Sequence, residues 1–169
     1  RTLREQPLLF SAGMTTTTRM AGDGSRVFYS DLNSDIYAVP VTGGVAEKLC
    51  AHCGDVTGAS TDGNRLLYEP LENEDLLMFD VRERRTYKLA LRRKGDDLLS
   101  GGRFSPDGKW VVFHALNNRN STAQIAVVPV KADGPAPASS WIAVTDGKSL
   151  DREACWGPGG GILYFVSER

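Results

Sequence analysis

The segment LCAHCGD, residues 49–55, holds the side chains most able to do chemistry, because two of the three cysteines and one of the two histidines lie in it. Thiolates and imidazoles are zinc ligands, and a C-x-x-C pair can also cycle between dithiol and disulfide. A structural zinc site needs four ligands, and Cys50, His52 and Cys53 supply at most three. A redox pair is favoured at a helix N-terminus, and no helical pattern follows these residues. We therefore expect a turn with two thiols or a local disulfide, with metal binding and redox catalysis as the alternatives.

No other motif completes a catalytic or cofactor site. His114 closes the strand-like stretch KWVVFHA, and we expect a hydrogen-bonded histidine at a strand end rather than a catalyst. The glycine-rich stretches GDGS and GPGGG lack the Lys-Ser/Thr pair and the helix of a phosphate loop. The G-x-S-x-G nucleophile motif does not occur in the sequence. Each Asp-Gly turn offers one carboxylate, whereas calcium takes about six to eight oxygens. The sequence therefore predicts a non-catalytic chain without a cofactor or resident metal.

The charge and hydropathy of the chain argue against nucleic acid and membrane as partners. Its 20 basic and 21 acidic residues give a net charge of −1, so no general attraction to polyanions is expected. No apolar run approaches the roughly 20 residues that a membrane span needs. The basic stretches at 82–85 and 92–97 are interpreted as charged strand edges that discourage pairing with other strands, rather than as a nucleic-acid surface.

A repeated turn organises the chain. Asp-Gly pairs at 23–24, 62–63 and 107–108 each precede an apolar strand-like stretch, namely RVFYSD, RLLYEP and WVVFHA. A fourth copy, WGPGGGILYFVSE, has Pro-Gly-Gly where the Asp-Gly should be. The corresponding glycines, 24, 63, 108 and 160, are spaced by 39, 45 and 52 residues. Repeats of about 40–50 residues with strand periodicity are typical of propeller blades.

The predicted fold is all-β, a β-propeller of four-stranded antiparallel blades. About three and a half to four blades are expected, as part of a larger propeller. The repeats are placed at residues 14–50, 56–91, 98–145 and 152–169, and residues 6–13 are predicted to be the last strand of a preceding blade. Pro40 and Pro129 are expected late in third strands, because proline cannot donate to a ladder. Cys155, beside Trp156, is expected to fill core in a first strand.

The stretches FSPDGKWVVFHA and SDIYAVPVTGGVAEKL resemble the WD40-like repeats of the TolB C-terminal β-propeller, a bacterial family. The resemblance runs from about Met14 onward. Copies one and two depart from the Ser-Pro-Asp-Gly pattern with Gly22 and Thr61 in place of proline, and copy four lacks the aspartate. Such propellers usually have six blades, which implies that this chain is a fragment of a longer protein, with an unusual closure of a smaller ring as the alternative. The resemblance also implies a periplasmic or other extracytoplasmic location, with the cytoplasm as the alternative.

The predicted function is rigid display of loops by a non-catalytic module that binds a protein partner or senses a small ligand. The polar stretch at 116–123 is expected to be a longer loop than its counterparts, and its residues Asn117, Asn118, Arg119 and Asn120 are the candidates for partner contact. The alternative that the resemblance implies is an accessory propeller of a larger enzyme, either a prolyl-oligopeptidase-like peptidase or a bacterial Ser/Thr kinase. The open strand edges expected at 6–10 and 162–166 have three candidate partners, namely each other, a second copy of the chain and further sequence of a longer protein.

Overall fold

The computed structural model describes residue 8 and residues 15–71, 75–94, 98–131 and 134–169. The strands are β1 (Thr15–Met20), β2 (Arg26–Asp31), β3 (Ile36–Pro40), β4 (Glu47–Cys50), β5 (Asp55–Ala59), β6 (Arg65–Glu69), β7 (Leu76–Asp80), β8 (Arg85–Ala90), β9 (Leu98–Phe104), β10 (Trp110–Asn117), β11 (Thr122–Pro129), β12 (Ile142–Ala143), β13 (Asp151–Trp156) and β14 (Leu163–Ser167). A 3-10 helix covers Ala138–Ser140. In these ranges no helix is long and apolar enough to cross a membrane. The strand expected at 6–13 lies outside the described residues, apart from Leu8.

The strands form three four-stranded antiparallel sheets and one two-stranded sheet, each built from strands that are consecutive in the sequence. We call these sheets blade one (β1–β4), blade two (β5–β8), blade three (β9–β12) and blade four (β13–β14). This architecture confirms the predicted all-β fold of antiparallel propeller blades. Pro40 and Pro129 are the last residues of the third strands β3 and β11, as expected for a residue that cannot donate to a ladder.

A serine and an aspartate shape the turn between first and second strands. In blade two the Ser60 hydroxyl donates to Asp62 Oδ1 at 2.6 Å and accepts a hydrogen bond from the backbone N–H of Arg65 at 3.0 Å. In blade three Ser105 donates to Asp107 Oδ1 at the same 2.6 Å. These bonds lower the pKa of Asp107, and they lower that of Asp62 to about 2, because they stabilise the charged carboxylate. The repeated Ser-x-Asp-Gly pattern is therefore a hydrogen-bonded turn.

The same backbone turn survives where the side chains are missing. Blade one has Ala21 in place of the serine, and blade four has Gly157. In both, the glycine N–H still donates to the carbonyl three residues earlier, from Gly24 to Ala21 and from Gly160 to Gly157, each at 2.9 Å. The turn is thus a main-chain feature that the Ser–Asp pair reinforces in blades two and three.

Apolar residues form one core cluster at each interface between neighbouring blades. Phe28 of blade one packs with Leu66 of blade two, and Leu76 of blade two packs with Phe113 of blade three. A third cluster joins β10 and β11 to Ala154 of blade four. Burying a large apolar side chain contributes about 1.5–3 kcal/mol. Side-chain packing therefore holds the blades to one another, whereas backbone hydrogen bonds hold the strands within each blade.

Each first strand carries an irregularity that the sequence did not reveal. The register of every first strand shifts by one residue against the second strand, as a β-bulge does. In β5 the extra residue is Thr57, which lies between the paired residues Val56 and Gly58. Gly101 in β9 and Glu153 in β13 take positive φ angles of 67° and 56° within their bulges. The bulge turns the following side chains of the first strand to the opposite side.

Candidate functional site

The first strands β1, β5, β9 and β13 lie next to one another and line a space that we call the channel. The turns between first and second strands lie together at one end of it. The N–H of Asp23 in blade one donates to the carbonyl of Thr61 in blade two at 2.8 Å. The Thr61 hydroxyl donates in turn to the carbonyl of Pro106 in blade three at 2.9 Å. Since adjacent strands are antiparallel, the opposite face carries the turns between second and third strands and the connections from one blade to the next.

The β10–β11 hairpin extends farther on that opposite face than the prediction allowed. The prediction of a longer loop at 116–123 is wrong. The strand β10 runs to Asn117 and β11 begins at Thr122, which leaves a four-residue turn. In blade three, three more pairs of residues continue the ladder from the pair His114–Ile125 to the tip. In blade one, only one bonded pair lies between the equivalent pair, Ser30–Ile36, and the turn. Two additional pairs carry the tip outward by about 7 Å.

The tip of this hairpin is exposed and supported. Residues 118–121 are all exposed, whereas Asn117 is half-buried and its side chain accepts the N–H of Asn120 at 3.3 Å. The backbone N–H of Ala123 donates to the carbonyl of Ser149 at 3.0 Å, and the Gln124 side chain donates to the carbonyl of Thr145 at 2.8 Å. Of the four candidate residues, Asn117 therefore shapes the turn, and Asn118, Arg119 and Asn120 present it to solvent.

The cysteines of the C-x-x-C segment form a local disulfide, Cys50–Cys53, one of the expected outcomes. The segment is held by the buried Asp35, whose carboxylate accepts the His52 N–H at 2.8 Å and the Lys48 ammonium at 2.5 Å. The hydrogen bond from Lys48, followed by that from His52, lowers the pKa of Asp35. With its sulfurs bonded to each other, the segment offers a metal no thiolate. Across the described ranges, no three His, Cys, Asp or Glu side chains converge as metal ligands do.

His114 differs from its prediction in position and bonding. It lies inside β10 rather than at a strand end, because the strand continues for three residues. The equivalent Ser30 donates to the Gly54 carbonyl at 3.0 Å, and the equivalent Glu69 accepts the Gly101 N–H at 2.8 Å, so each binds the next blade. His114 Nδ1 is buried without a hydrogen-bond partner, and burial lowers the pKa of the ring. The prediction of a hydrogen-bonded histidine at a strand end is therefore wrong for His114.

Cys155 lies in a first strand, as predicted, but it does not fill core. Ala154 is buried beside it, at 4% exposure, and Cys155 is an exposed free thiol. The register shift between Arg152 and Cys155 explains the correction, since one extra residue moves the following side chain to the other side of the strand. Cys155 instead lines the central channel.

Two arginines that the sequence analysis missed converge in this channel. Arg19 of β1 and Arg103 of β9 both donate to the carbonyl oxygen of Thr57, Arg19 through Nε at 2.5 Å and Arg103 through Nη1. Thr57 is the bulge residue of β5, whose carbonyl is left outside the ladder with β6. The sequence carried a signal, because both arginines stand four residues before the aspartate of an Asp-Gly pair.

The surroundings of Arg103 disfavour the positive charge of its side chain. Burial lowers its pKa most, and the neighbouring Arg19 charge lowers it further. The negative charges of Glu153 and Glu69 raise the pKa of Arg103. Neither arginine has a carboxylate within ion-pair distance in the part of the chain that the structure describes. The pair is therefore a concentration of positive charge bound to backbone carbonyls.

A cavity of about 440 Å³ opens beside Arg103 at the end of the channel where the Asp-Gly turns lie. Its walls are mostly apolar and include Met20, Phe104, Pro106 and Trp156. The Trp156 indole N–H donates to the backbone carbonyl of Arg103 at 3.1 Å, which fixes one wall against β9. The channel thus combines an apolar cavity with a cationic inner end.

No family model matches the chain, and no curated protein matches it. Among solved structures, a candidate TolB from Agrobacterium tumefaciens is 28% identical with a TM-score of 0.73, covering 92% of this chain and 56% of that one. TolB from Acinetobacter baumannii is 19% identical with a TM-score of 0.73, covering 94% of this chain and 39% of that one. Prolyl oligopeptidase B from Galerina marginata is 15% identical with a TM-score of 0.64, covering 90% and 24%.

The chain spans 56% and 39% of the lengths of the two TolB structures. The order of antiparallel sheets, the Asp-Gly turns at one end of the channel and these likenesses agree with one another. The chain has a β-propeller fold similar to that of the two TolB structures.

Proposed function

We propose that this propeller module is non-catalytic and binds a partner through the tip of the β10–β11 hairpin. The observation that carries the proposal is the projecting turn at 118–121, which is exposed at every residue and leads into a strand held by bonds from Ala123 and Gln124 to the carbonyls of Ser149 and Thr145. A supported turn loses little conformational entropy on binding, so its polar groups contribute more of their interaction energy to affinity. Arg119 adds a side chain of a type enriched at binding hot spots.

The state of the two histidines supports a non-catalytic role. The His52 ring contacts the Asn33 carbonyl, and the His114 ring is buried with Nδ1 unpartnered. Within the described residues, neither ring is hydrogen-bonded to a serine, threonine or cysteine that it could activate as a nucleophile. The module would then act by holding a recognition surface in place.

Photo-crosslinking tests the placement of the partner site. A photoreactive amino acid at Asn120 is expected to capture a specific protein or ligand in the producing cell, whereas the same group at Lys148, also exposed on this face, is the matched control. The captured species is then titrated against the purified double variant Arg119→Ala/Asn120→Ala. We expect its affinity to fall at least tenfold without a change in thermal midpoint. Equal capture at both positions, or unchanged affinity of the double variant, would overturn the placement.

We further propose a periplasmic or other extracytoplasmic location. The Cys50–Cys53 disulfide supports it, because disulfides persist in oxidising compartments and are rare in the cytosol. Fractionation of the producing cells, with thiol trapping of Cys50 and Cys53, tests it. A reduced pair in the cytosolic fraction would contradict the proposal.

The second candidate function is that of an accessory propeller in a larger enzyme. The likeness to prolyl oligopeptidase B favours it, although at 15% identity that likeness concerns the fold. The two functions are distinguished by the gene that encodes this chain. A G-x-S-x-G elbow or protein-kinase motifs in the same reading frame would decide for the enzyme, and their absence from the complete frame would decide for the stand-alone binding module.

We also propose that two copies can pair through the edge of β14. Tyr164 and Val166 of this strand are 57% and 52% exposed, and within the described residues β14 pairs with β13 alone. Exposed apolar edge strands favour association. Light scattering should report a dimer or larger assembly that Val166→Lys converts to monomer. A monomeric parent chain would refute the pairing.

A further inference from the structure

We propose that the central channel contains a binding site for the carboxylate group of a ligand with an apolar body, formed by Arg19 and Arg103. This site is separate from the hairpin tip and does not depend on the proposed partner surface. The inference rests on the convergence of two guanidinium groups on one oxygen atom, on the lack of an ion pair to either group among the described residues and on the apolar cavity beside Arg103.

The two arginines already bind an oxygen of the kind that a carboxylate would supply. Both donate to the Thr57 carbonyl, so donors from blades one and three lie within hydrogen-bond distance of a single acceptor. Arg19 Nη1 also donates to its neighbouring Thr18 carbonyl at 2.6 Å, and Arg103 Nη1 to that of Gly102 at 2.9 Å. The Nη2 group of each arginine has no hydrogen bond to any described residue. Arg103 Nε makes no such bond either, so Arg103 keeps an Nε–Nη2 edge for the two oxygens of a carboxylate, and Arg19 keeps its Nη2 group.

The positive charge of Arg19 and Arg103 favours the binding of an anion. Two adjacent guanidiniums repel each other, and this repulsion is strongest where burial reduces the screening by water. Arg103 is half-buried, and its pKa is lowered first by burial and then by Arg19. Within the described chain no carboxylate forms an ion pair with either side chain. A bound anion would form the ion pair that no described carboxylate forms, and it would accept charge-assisted hydrogen bonds, which are stronger than neutral ones.

The surroundings favour a carboxylate over a phosphate. Glu69 and Glu153 lie near enough to raise the pKa of Arg103 by their negative charges. Those charges disfavour a dianion more than a monoanion. The planar fork of a guanidinium also matches the two oxygens of a carboxylate.

The cavity indicates what the rest of the ligand should be. Arg103 lines the cavity of about 440 Å³ together with Met20, Phe104 and Trp156, and its volume lies within the range of small-ligand sites. Apolar walls next to a cationic end suit an aliphatic or aromatic acid, or the C-terminal residue of a peptide with an apolar side chain. All three share one chemistry, a carboxylate at the end of an apolar body.

The test is a titration of the ¹⁵N-labelled chain with hexanoate, followed by NMR at constant ionic strength. The side-chain N–H signals of Arg19 and Arg103 and the indole N–H of Trp156 are expected to shift and saturate together. The signal of Arg82, an exposed arginine bonded to Asn64, serves as the internal control. Hexan-1-ol provides the same apolar body without charge, and inorganic phosphate provides charge without the body. Benzoate and an acetylated dipeptide ending in leucine then distinguish the three sources of the carboxylate.

Three variants make the result decisive. Arg103→Met should weaken hexanoate binding at least tenfold, and Arg103→Lys should weaken it too, because an ammonium lacks the bidentate fork. Arg19→Met removes the other half of the pair from a different blade, so it tests the site even if an Arg103 variant unfolds. Arg82→Met should bind like the parent chain. Tighter binding of phosphate than of hexanoate, equal shifts with hexan-1-ol, or unchanged affinity in Arg19→Met would each overturn the proposal.

Discussion

Gly54 lies against the carbonyl group of Glu69 so closely that a β-carbon on Gly54 would overlap the carbonyl oxygen and lie 2.7 Å from the carbonyl carbon. Gly54 immediately precedes the first strand of blade two, and Glu69 is the last residue of the second strand of the same blade. The contact therefore fixes how the chain enters the blade. The φ angle of Gly54, +121°, is also one that residues with side chains rarely adopt.

Replacing Gly54 with alanine should destabilise the fold by about 3 kcal/mol or more, because rigid backbone atoms would have to move apart. Gly44→Ala is the matched control, since Gly44 has a similar φ of +134° and open space around it. It should cost about 1 kcal/mol for the backbone strain alone. Urea unfolding of both variants measures the difference. Equal losses would show that strain, rather than overlap, sets the cost at Gly54.

The Ser–Asp turn gives a prediction for stability. Ser105→Ala should lower the free energy of unfolding by about 1 kcal/mol, because it removes two hydrogen bonds, to Asp107 and from the N–H of Trp110. Ser140→Ala is the control, since that exposed hydroxyl makes one local bond to the Pro137 carbonyl. Chemical denaturation with both variants tests the difference. The role assigned to the Ser–Asp pair would be wrong if Ser140→Ala cost as much as Ser105→Ala.

The pKa of Asp62, lowered from 3.8 to about 2, predicts how acid weakens the fold. A group with a lowered folded-state pKa binds its proton more tightly in the unfolded chain, so its contribution is complete above pH 4 and is lost as the pH falls towards 2. Asp62→Asn should therefore reduce the slope of stability against pH in this window. The effect should be small, because Asp62 is exposed. Urea midpoints from pH 2 to 5 provide the measurement, and an unchanged slope would contradict the shift.

The disulfide closes a short loop, and this sets the cost of reducing it. The chain-entropy relation for a loop of this length gives about 2 kcal/mol. Reduction, or the variant Cys50→Ser/Cys53→Ser, should lower the thermal midpoint accordingly without unfolding the chain at room temperature. Cys155→Ser, treated with the same reductant, controls for effects at the third cysteine. A chain that unfolds on reduction would mean that the segment holds more of the fold than its own loop.

Thiol labelling should distinguish the three cysteines. In the native, oxidised chain we expect one thiol to react, that of the exposed Cys155. The variant Cys155→Ser should show no reactive thiol until a reductant is added. Quantitative labelling with a chromogenic disulfide reagent measures both. A native chain without a reactive thiol would indicate that the channel is closed to the reagent.

The sequence predicted the features that recur with a clear period. Apolar second strands recur in all four copies, Asp-Gly turns in three and strand-ending prolines in two, and each repetition strengthens the prediction of a blade. Cys50 and Cys53 are separated by two residues only, so a local disulfide was among the expected outcomes. These features are local, and local chemistry determines them.

The features that the sequence did not predict arise from single-residue shifts and from distant contacts. The bulge at Glu153 moves Cys155 to the channel side, yet a strand with one extra residue keeps the composition of an ordinary strand. Polar side chains at 116–123 resemble a loop, but their ladder partners and Ser149 keep them in a hairpin. Arg19 and Arg103 are 84 positions apart in the sequence. They come together only because blades one, two and three pack side by side, so that both reach the Thr57 carbonyl.

The position four residues before the turn aspartate has a consequence for how such a chain can evolve. Successive blades place Arg19, Gly58, Arg103 and Cys155 at this position, with Gly159 standing for the aspartate in the last copy. The turn that follows is maintained by main-chain bonds in every copy. After duplication of a blade, a mutation at this position leaves the main-chain turn in place and changes what the channel presents to a ligand, except at Gly58, where a β-carbon would lie 2.7 Å from the Gly102 carbonyl oxygen. A repeat of this design diversifies its specificity one blade at a time while its scaffold is inherited intact.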